Sequence, residues 1–330
     1  MRQPHFHARL VMETPIIGRQ EEYIVGLEIQ TKTVKLNEKP IPAVKFEFSG
    51  HVHQVFAGIM YFNLETSGSQ QLGELSVNVG SPSPMGNTVT MTPSASMRDK
   101  HVRNLTNESK LVIATVALVG TNDDNLSLLS NQPMGNNISA NITNIHTIFP
   151  ALSHFFAAYP AGKDFQVNKI EAGINADLNA NTTGTFNLNG KVYFKEDRNK
   201  TTDTGLMKIN AGVYTSAIER DAVKIAYIEL KHDDKKNKPP VDINNYEELN
   251  GAFLMQKFSI THHSNDESNL QKIAIGMKRD AKFWSLKNSG SDNILVAYDS
   301  DVIMRDKGHN VSYGLVGGHI IAFGKKEKTS

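Results

Sequence analysis

A chain of 330 residues, 39% hydrophobic and 21% charged with a mean hydropathy of −0.36, can bury one large core or two of ordinary size. Its net charge of +1 provides no overall field to recruit nucleic acid or an anionic membrane. Cysteine is absent, which excludes disulfide staples, thiolate metal sites and cysteine nucleophiles and fits synthesis in a reducing cytoplasm.

The opening M-R-Q-P-H-F-H-A-R-L lacks the apolar core of a signal peptide, and the apolar run at 111–119 is about half of what spans a bilayer. Neither a signal peptide nor a transmembrane segment is expected. Residues 23–34 alternate apolar and polar, the mark of a strand with one wet face. A second strand is expected at 44–48, running on through Gly50 into 52–64. Weaker strands at 75–79 and 89–91 flank the loop G-S-P-S-P-M-G-N. The run at 111–119 is rich in β-branched residues and predicts a strand buried on both faces. Residues 120–144 are polar and rich in Asn, Asp and Ser, as in a long surface crossing.

At the midpoint, Pro150 suits a first helical turn, and Leu152, Phe155, Phe156 and Tyr159 fall at i, i+3, i+4 and i+7. A connecting helix is therefore expected over 149–162, stopped by Pro160-Ala161-Gly162. Strands follow at 165–178, 185–194 and 223–230. Asn244 and Glu247 form a capping box for a helical turn ending at Gly251. Further strands are expected at 253–261, 270–277, 294–298 and 311–323.

The segments F-E-F-S-G-H-V at 46–52 and F-N-L-N-G-K-V at 186–192 share their alternation and the step at which glycine falls. Flanking runs match loosely and in the same order, which predicts a duplicated β module. The fold class expected is all-β: two tandem jelly-roll β-sandwiches, 1–148 and 163–330, with a few short helices in the connections and the helix 149–162 between the halves.

Closely spaced strands, Asn/Ser/Gly-rich loops and two similar halves resemble the double jelly-roll major capsid proteins of icosahedral viruses and phages. The likeness spans the whole chain and is one of architecture, so no family residue is carried over to a position here. It implies a self-assembling, non-catalytic subunit, a homotrimer with shell neighbours, placed in a virion assembled in the host cytoplasm. Minor virion proteins or an internal membrane would be its other partners, and no specific nucleic acid is implied. Two other readings stand beside it. One is a receptor- or carbohydrate-binding β-sandwich of a phage tail or bacterial surface. The other is a nucleic-acid-coating backbone subunit, such as an RNA-binding subunit of a CRISPR complex, against which the balanced charge argues.

Candidate chemistry is sparse, and no cofactor is expected. His51 and His53 fall on one face of a strand, a spacing that lets two imidazoles reach one metal, and His5 and His7 repeat it. The glutamate that the cupin family places about five residues on is missing. Asp299 and Asp301, and the run Asn122-Asp123-Asp124-Asn125, carry enough oxygen for calcium, but lack the full spacing of a calcium loop, and turn residues bonding their own backbone are the simpler account. His262, His263, Asp266 and Glu267 form a polar cluster with no paired nucleophile, and Ser285 and Ser289 sit in a predicted turn. No G-x-S-x-G, P-loop or G-x-G-x-x-G occurs. Trp284, beside Phe283 and between lysines, suits a core or contact role, and Arg98, Lys100, His101 and Arg103 form the densest basic cluster.

Overall fold

The structure is a computed structural model that describes residues 26–99, 104–160, 166–179, 184–197, 200–201, 206–220, 223–231, 241–242, 246–262, 269–278, 282–288, 291–297, 299–306 and 311–326. The chain opens with β1 (Leu27–Lys35), β2 (Val44–Glu47), β3 (Val52–Gln70) and β4 (Glu74–Asn78). Short strands β5 (Ser83–Met85), β6 (Thr88–Met91) and β7 (Ser94–Arg98) precede the long apolar β8 (Lys110–Val119). The polar crossing carries β9 (Leu126–Pro133) and β10 (Gly135–Ser139), and β11 (Thr147–Ala158) occupies the midpoint. Then come β12 (Lys169–Leu178), β13 (Thr185–Asp197), β14 (Lys200–Thr201), β15 (Leu206–Ser216), β16 (Val223–Lys231) and β17 (Val241–Asp242). The last strands are β18 (Tyr246–Thr261), β19 (Leu270–Met277), β20 (Lys282–Asn288), β21 (Ser291–Ala297), β22 (Ser300–Asp306) and β23 (Val311–Lys326).

The protein is all-β, and the described residues contain no helix. The expected connecting helix at 149–162 is corrected to strand β11. A bulge between Leu152 and His154 shifts the alternation by one residue, and residues 149–153 are buried on both faces. Together these imitate helical spacing. Pro150 is tolerated because β4 pairs only with His154–Ala158, leaving one strand neighbour, β15, at the proline. The turn expected up to Gly251 is likewise the start of β18.

Twelve strands form the main sheet, ordered β1-β8-β3-β19-β22-β23-β18-β12-β13-β10, with β14 on β13 and β16 on β23. A five-stranded sheet, β7-β4-β11-β15-β9, packs against it through β3, β12, β13 and β18. Two three-stranded sheets, β2-β6-β5 and β17-β21-β20, lie beside these. Strands from 1–148 and 163–330 share the large sheets, since β3 pairs with β19, β10 with β13 and β9 with β15. Hydrogen bonds, rather than a helical linker, join the two stretches.

Phenylalanines bind the layers. Phe62 of β3, Phe155 of β11 and Phe258 of β18 meet with ring centroids 5.3–5.7 Å apart, all almost wholly buried. Such edge and tilted contacts add to the burial each large ring contributes. Gly276 of β19 sits beside this core at φ +113, where a Cβ would stand 2.2 Å from the Met60 carbonyl oxygen. Only glycine serves there.

The likeness between 46–52 and 186–192 stops at sequence. Phe46 lies in β2, the chain bends at Ser49–Gly50, and β3 begins at Val52, whereas Gly190 sits inside the unbroken β13.

Candidate assembly face

Strand β23 divides the main sheet into two wings. Its first residues, Val311–Tyr313, pair with β22, and on the same flank Leu315–Phe323 pair with β16. The opposite flank pairs with β18 over Gly314–Lys326. The wing β16-β23-β18-β12-β13 therefore lies beside the wing β1-β8-β3-β19-β22. Its inner face carries Leu188, Val192, Phe194, Ile170, Ala172, Phe258, Ile260 and Val316, all buried. Alternation sends the other residues outward.

Register sets the outward residues in rows. One row runs Lys191, Gly173, Lys257, Gly317 and Glu229 from β13 to β16, each directly across from the next. The next row runs Tyr193, Glu171, Ser259, Leu315 and Lys231. A shallow groove of about 510 Å³ follows these rows, lined among others by Glu171, Gly173, Lys191, Lys257 and Leu315. At Gly317 the missing side chain leaves room for the Tyr227 hydroxyl, which lies 2.1 Å from where a Cβ would be.

The charges are balanced across the face. Glu171 accepts from Lys169 Nζ at 2.6 Å, Lys191 Nζ at 2.9 Å, the Tyr193 hydroxyl at 2.9 Å and Ser259 Oγ at 3.3 Å. Burial alone would raise its pKa, but the bonds from Lys169, Lys191 and Tyr193 outweigh it and pull the carboxyl down to about 2. Lys191 and Lys169 also lie over the Tyr193 ring at 5.2 and 5.4 Å. At the other end, Lys257 Nζ stands 3.4 Å from Glu229 and 5.2 Å from the Tyr227 ring centre, while Tyr227 donates to Glu229 at 3.1 Å. Groups so paired hold one another's charge across the face.

Apolar groups nevertheless remain in water along this face. Val311, Tyr313 and Leu315 project at successive outward positions of β23, exposed by 38%, 53% and 42%, and Tyr227 by 43%. Large side chains left in a line on a sheet face mark a contact surface more often than singly scattered ones do.

The residues singled out in the sequence fall elsewhere. His51 and His53 stand edge-on with ring centroids 4.9 Å apart, and His53 Nε2 meets the Gly120 carbonyl at 3.0 Å. His53 and residues 122–124 line one cleft of about 370 Å³, a proximity that the sequence did not reveal. Within that loop Asp123 pairs with Arg220 and accepts from the Asn125 N–H at 2.8 Å, which is turn chemistry. Asp301 and Asp299 hold the Lys278 ammonium at 2.8 and 3.3 Å, and Tyr61 donates to Asp301 at 3.1 Å. Burial works against the Lys278 charge, but Asp301 and Asp299 overcome it and raise its pKa. No group of three or more metal-ligating side chains stands together among the described residues.

Arg98 pairs with Glu74, its Nε at 2.8 Å, while Lys100, His101 and Arg103 lie outside the described residues. His262 is buried with Nε2 3.8 Å from Asp306. His5, His7, His263, Asp266, Glu267 and Ser289 lie outside the described residues, and Phe283, Trp284 and Ser285 fall in β20. The Glu171 cluster went unrecognised in the sequence, although the outward positions of K-I-E and K-V-Y already alternate charge and ring.

Comparison with known proteins gave no match to a family model, a curated protein or a solved structure.

Proposed function

We propose that this chain is a structural virion protein, a major capsid subunit whose task is to associate with copies of itself. The observation that carries the reading is the line of Val311, Tyr313, Leu315 and Tyr227 exposed on a charge-balanced sheet face. Such a face suits burial against a protein partner: its apolar side chains gain by leaving water, and its lysines and glutamates already neutralise one another. A core shared by two packed sheets gives the rigid body that a shell lattice requires. In this reading the sheets are jelly-roll layers, the subunit is a homotrimer within an icosahedral shell, and the chain catalyses nothing. Minor virion proteins or a membrane beneath the shell would be further neighbours. No helix among the described residues is long and apolar enough to cross a membrane.

Size-exclusion chromatography with light scattering, followed by electron microscopy of the largest species, tests the reading. Trimers that grow into shells or lattices are expected. A monomer retained on a glycan array would replace the reading with a carbohydrate-binding module, and salt-sensitive retention on single-stranded nucleic acid would replace it with a coating protein.

A further inference from the structure

We infer that β16 is a homotypic docking edge: it pairs antiparallel with β16 of a second copy about a two-fold axis near Tyr227, continuing the sheet from one subunit to the next. The inference rests on the self-assembly reading and names the surface that would carry one of its contacts.

The edges of the two large sheets are not alike. Along β1, side chains reach across to β2: Gln30 donates to the Glu47 carbonyl and Lys32 to that of Lys45. On β10, five residues long, a register shift and Asn137 at φ +57 break the strand. On β9 there is a shift opposite Ala211/Val213, Asn131 at φ +50, and a terminal proline, Pro133. Strands β7 and β14 have five and two residues. These are the usual devices that keep sheet edges from pairing with other chains.

Strand β16 has none of them. Its nine residues, V-K-I-A-Y-I-E-L-K, pair with β23 in unbroken register, and no strand among the described residues pairs with its other side. Half of its backbone donors and acceptors thus point away from β23. The centre, Ile225 to Ile228, is uncharged, free of proline and rich in β-formers, while Lys224, Glu229 and Lys231 stand toward the ends. A regular edge of this kind is built to accept a strand.

The strand's own sequence suits a second copy as that partner. Around a two-fold axis perpendicular to the sheet, residues on one face meet residues on the same face, so the axis falls on a residue. With Tyr227 on the axis all nine residues are used. Lys224 then lies across from the partner's Leu230, Glu229 from the partner's Ile225 and Lys231 from the partner's Val223, so no two like charges oppose. The Tyr227 ring leans back over β23 toward Lys257, so its bulk does not stand between the two strands at the axis. The outer face, with its balanced lysines and glutamates, continues without a seam of one sign.

The absence of cysteine permits a clean test. Ile225→Cys, Ala226→Cys, Tyr227→Cys, Ile228→Cys and Glu229→Cys are each oxidised and run on non-reducing gels, with Met85→Cys, on the exposed β5 of another sheet, as the control. Only a residue on the axis faces its own copy within the roughly 5 Å between Cβ atoms that a disulfide tolerates after small adjustment. Tyr227→Cys is expected to cross-link about tenfold faster than Met85→Cys, with a fall on either side of the axis. Light scattering on the same samples separates the outcomes. A protein that associates while none of the five variants cross-links overturns the β16 contact and leaves the assembly reading standing. One that stays monomeric with no cross-link overturns both.

Discussion

The two wings of the main sheet use the same strand geometry for opposite ends. In the wing built on β8, residues 111–119 are buried without exception between β1 and β3, so both faces of the strand are core. In the wing built on β12 and β13, burial alternates, and the outward face carries Glu171, Lys191 and Tyr193. A strand buried on both faces can carry no charge without a partner, and its sequence reduces to an apolar run. A strand wet on one face is free to carry chemistry there, and the exposed line on β23 belongs to that wing. The difference separates what holds the fold together from what it leaves exposed on its surface.

The largest test strikes where the wings meet. Phe62→Ala removes one ring of the Phe62–Phe155–Phe258 contact and should cost about 3–5 kcal/mol of unfolding free energy in a denaturant titration. A loss below about 1 kcal/mol would mean that the three strands are not joined at this point.

Acid should resolve the interior from the outer face. Burial lowers His154 and His319 from the ordinary 6.5 to about 4, and the nearby Lys208 adds to the effect at His154. The unfolded chain therefore binds these protons first, so their share of stability is complete above pH 6.5 and is lost as pH falls toward 4. Glu171 has a lower window: its share is complete above about 4.5 and is lost as pH falls through about 2. In a melting-temperature series against pH, His319→Gln should flatten the upper window and leave the lower one unchanged. Glu171→Gln should do the reverse. It should also cost about 1 kcal/mol at neutral pH, because Lys169 and Lys191 lose their shared acceptor.

The smallest effect on stability belongs to the exposed line. Tyr313→Ser with Leu315→Ser should change unfolding free energy by no more than about 0.5 kcal/mol per site. Association measured by light scattering should nevertheless weaken clearly. A large stability change with unaltered association would move these residues from the contact surface to the fold.

Several of these features could be read in the sequence because they are local. Alternation at 23–34, within which β1 begins at Leu27, and the apolar run at 111–119 each gave a strand, and their sum gave the all-β class. The helix expected at 149–162 failed for a physical reason: a bulge at Leu152–His154 and burial on two faces produced a spacing that no single-face strand shows. The Phe46 and Phe186 segments share side-chain pattern but not surroundings, since a bend ends one strand where β13 continues. The cluster on Glu171 stayed hidden because it depends on register between strands far apart in the chain, Lys191 lying 20 positions beyond Glu171 and Ser259 still further. Asp299 and Asp301 were visible as an acidic pair, but Lys278, which bonds both, directly follows β19 and was not.

Self-association is the central claim, and light scattering on the purified chain over a range of concentrations tests it most directly. The account predicts a mass that rises to a multiple of 36.5 kDa and falls back when Tyr313 and Leu315 are replaced by serine. A wild-type chain that holds 36.5 kDa at every concentration would contradict it.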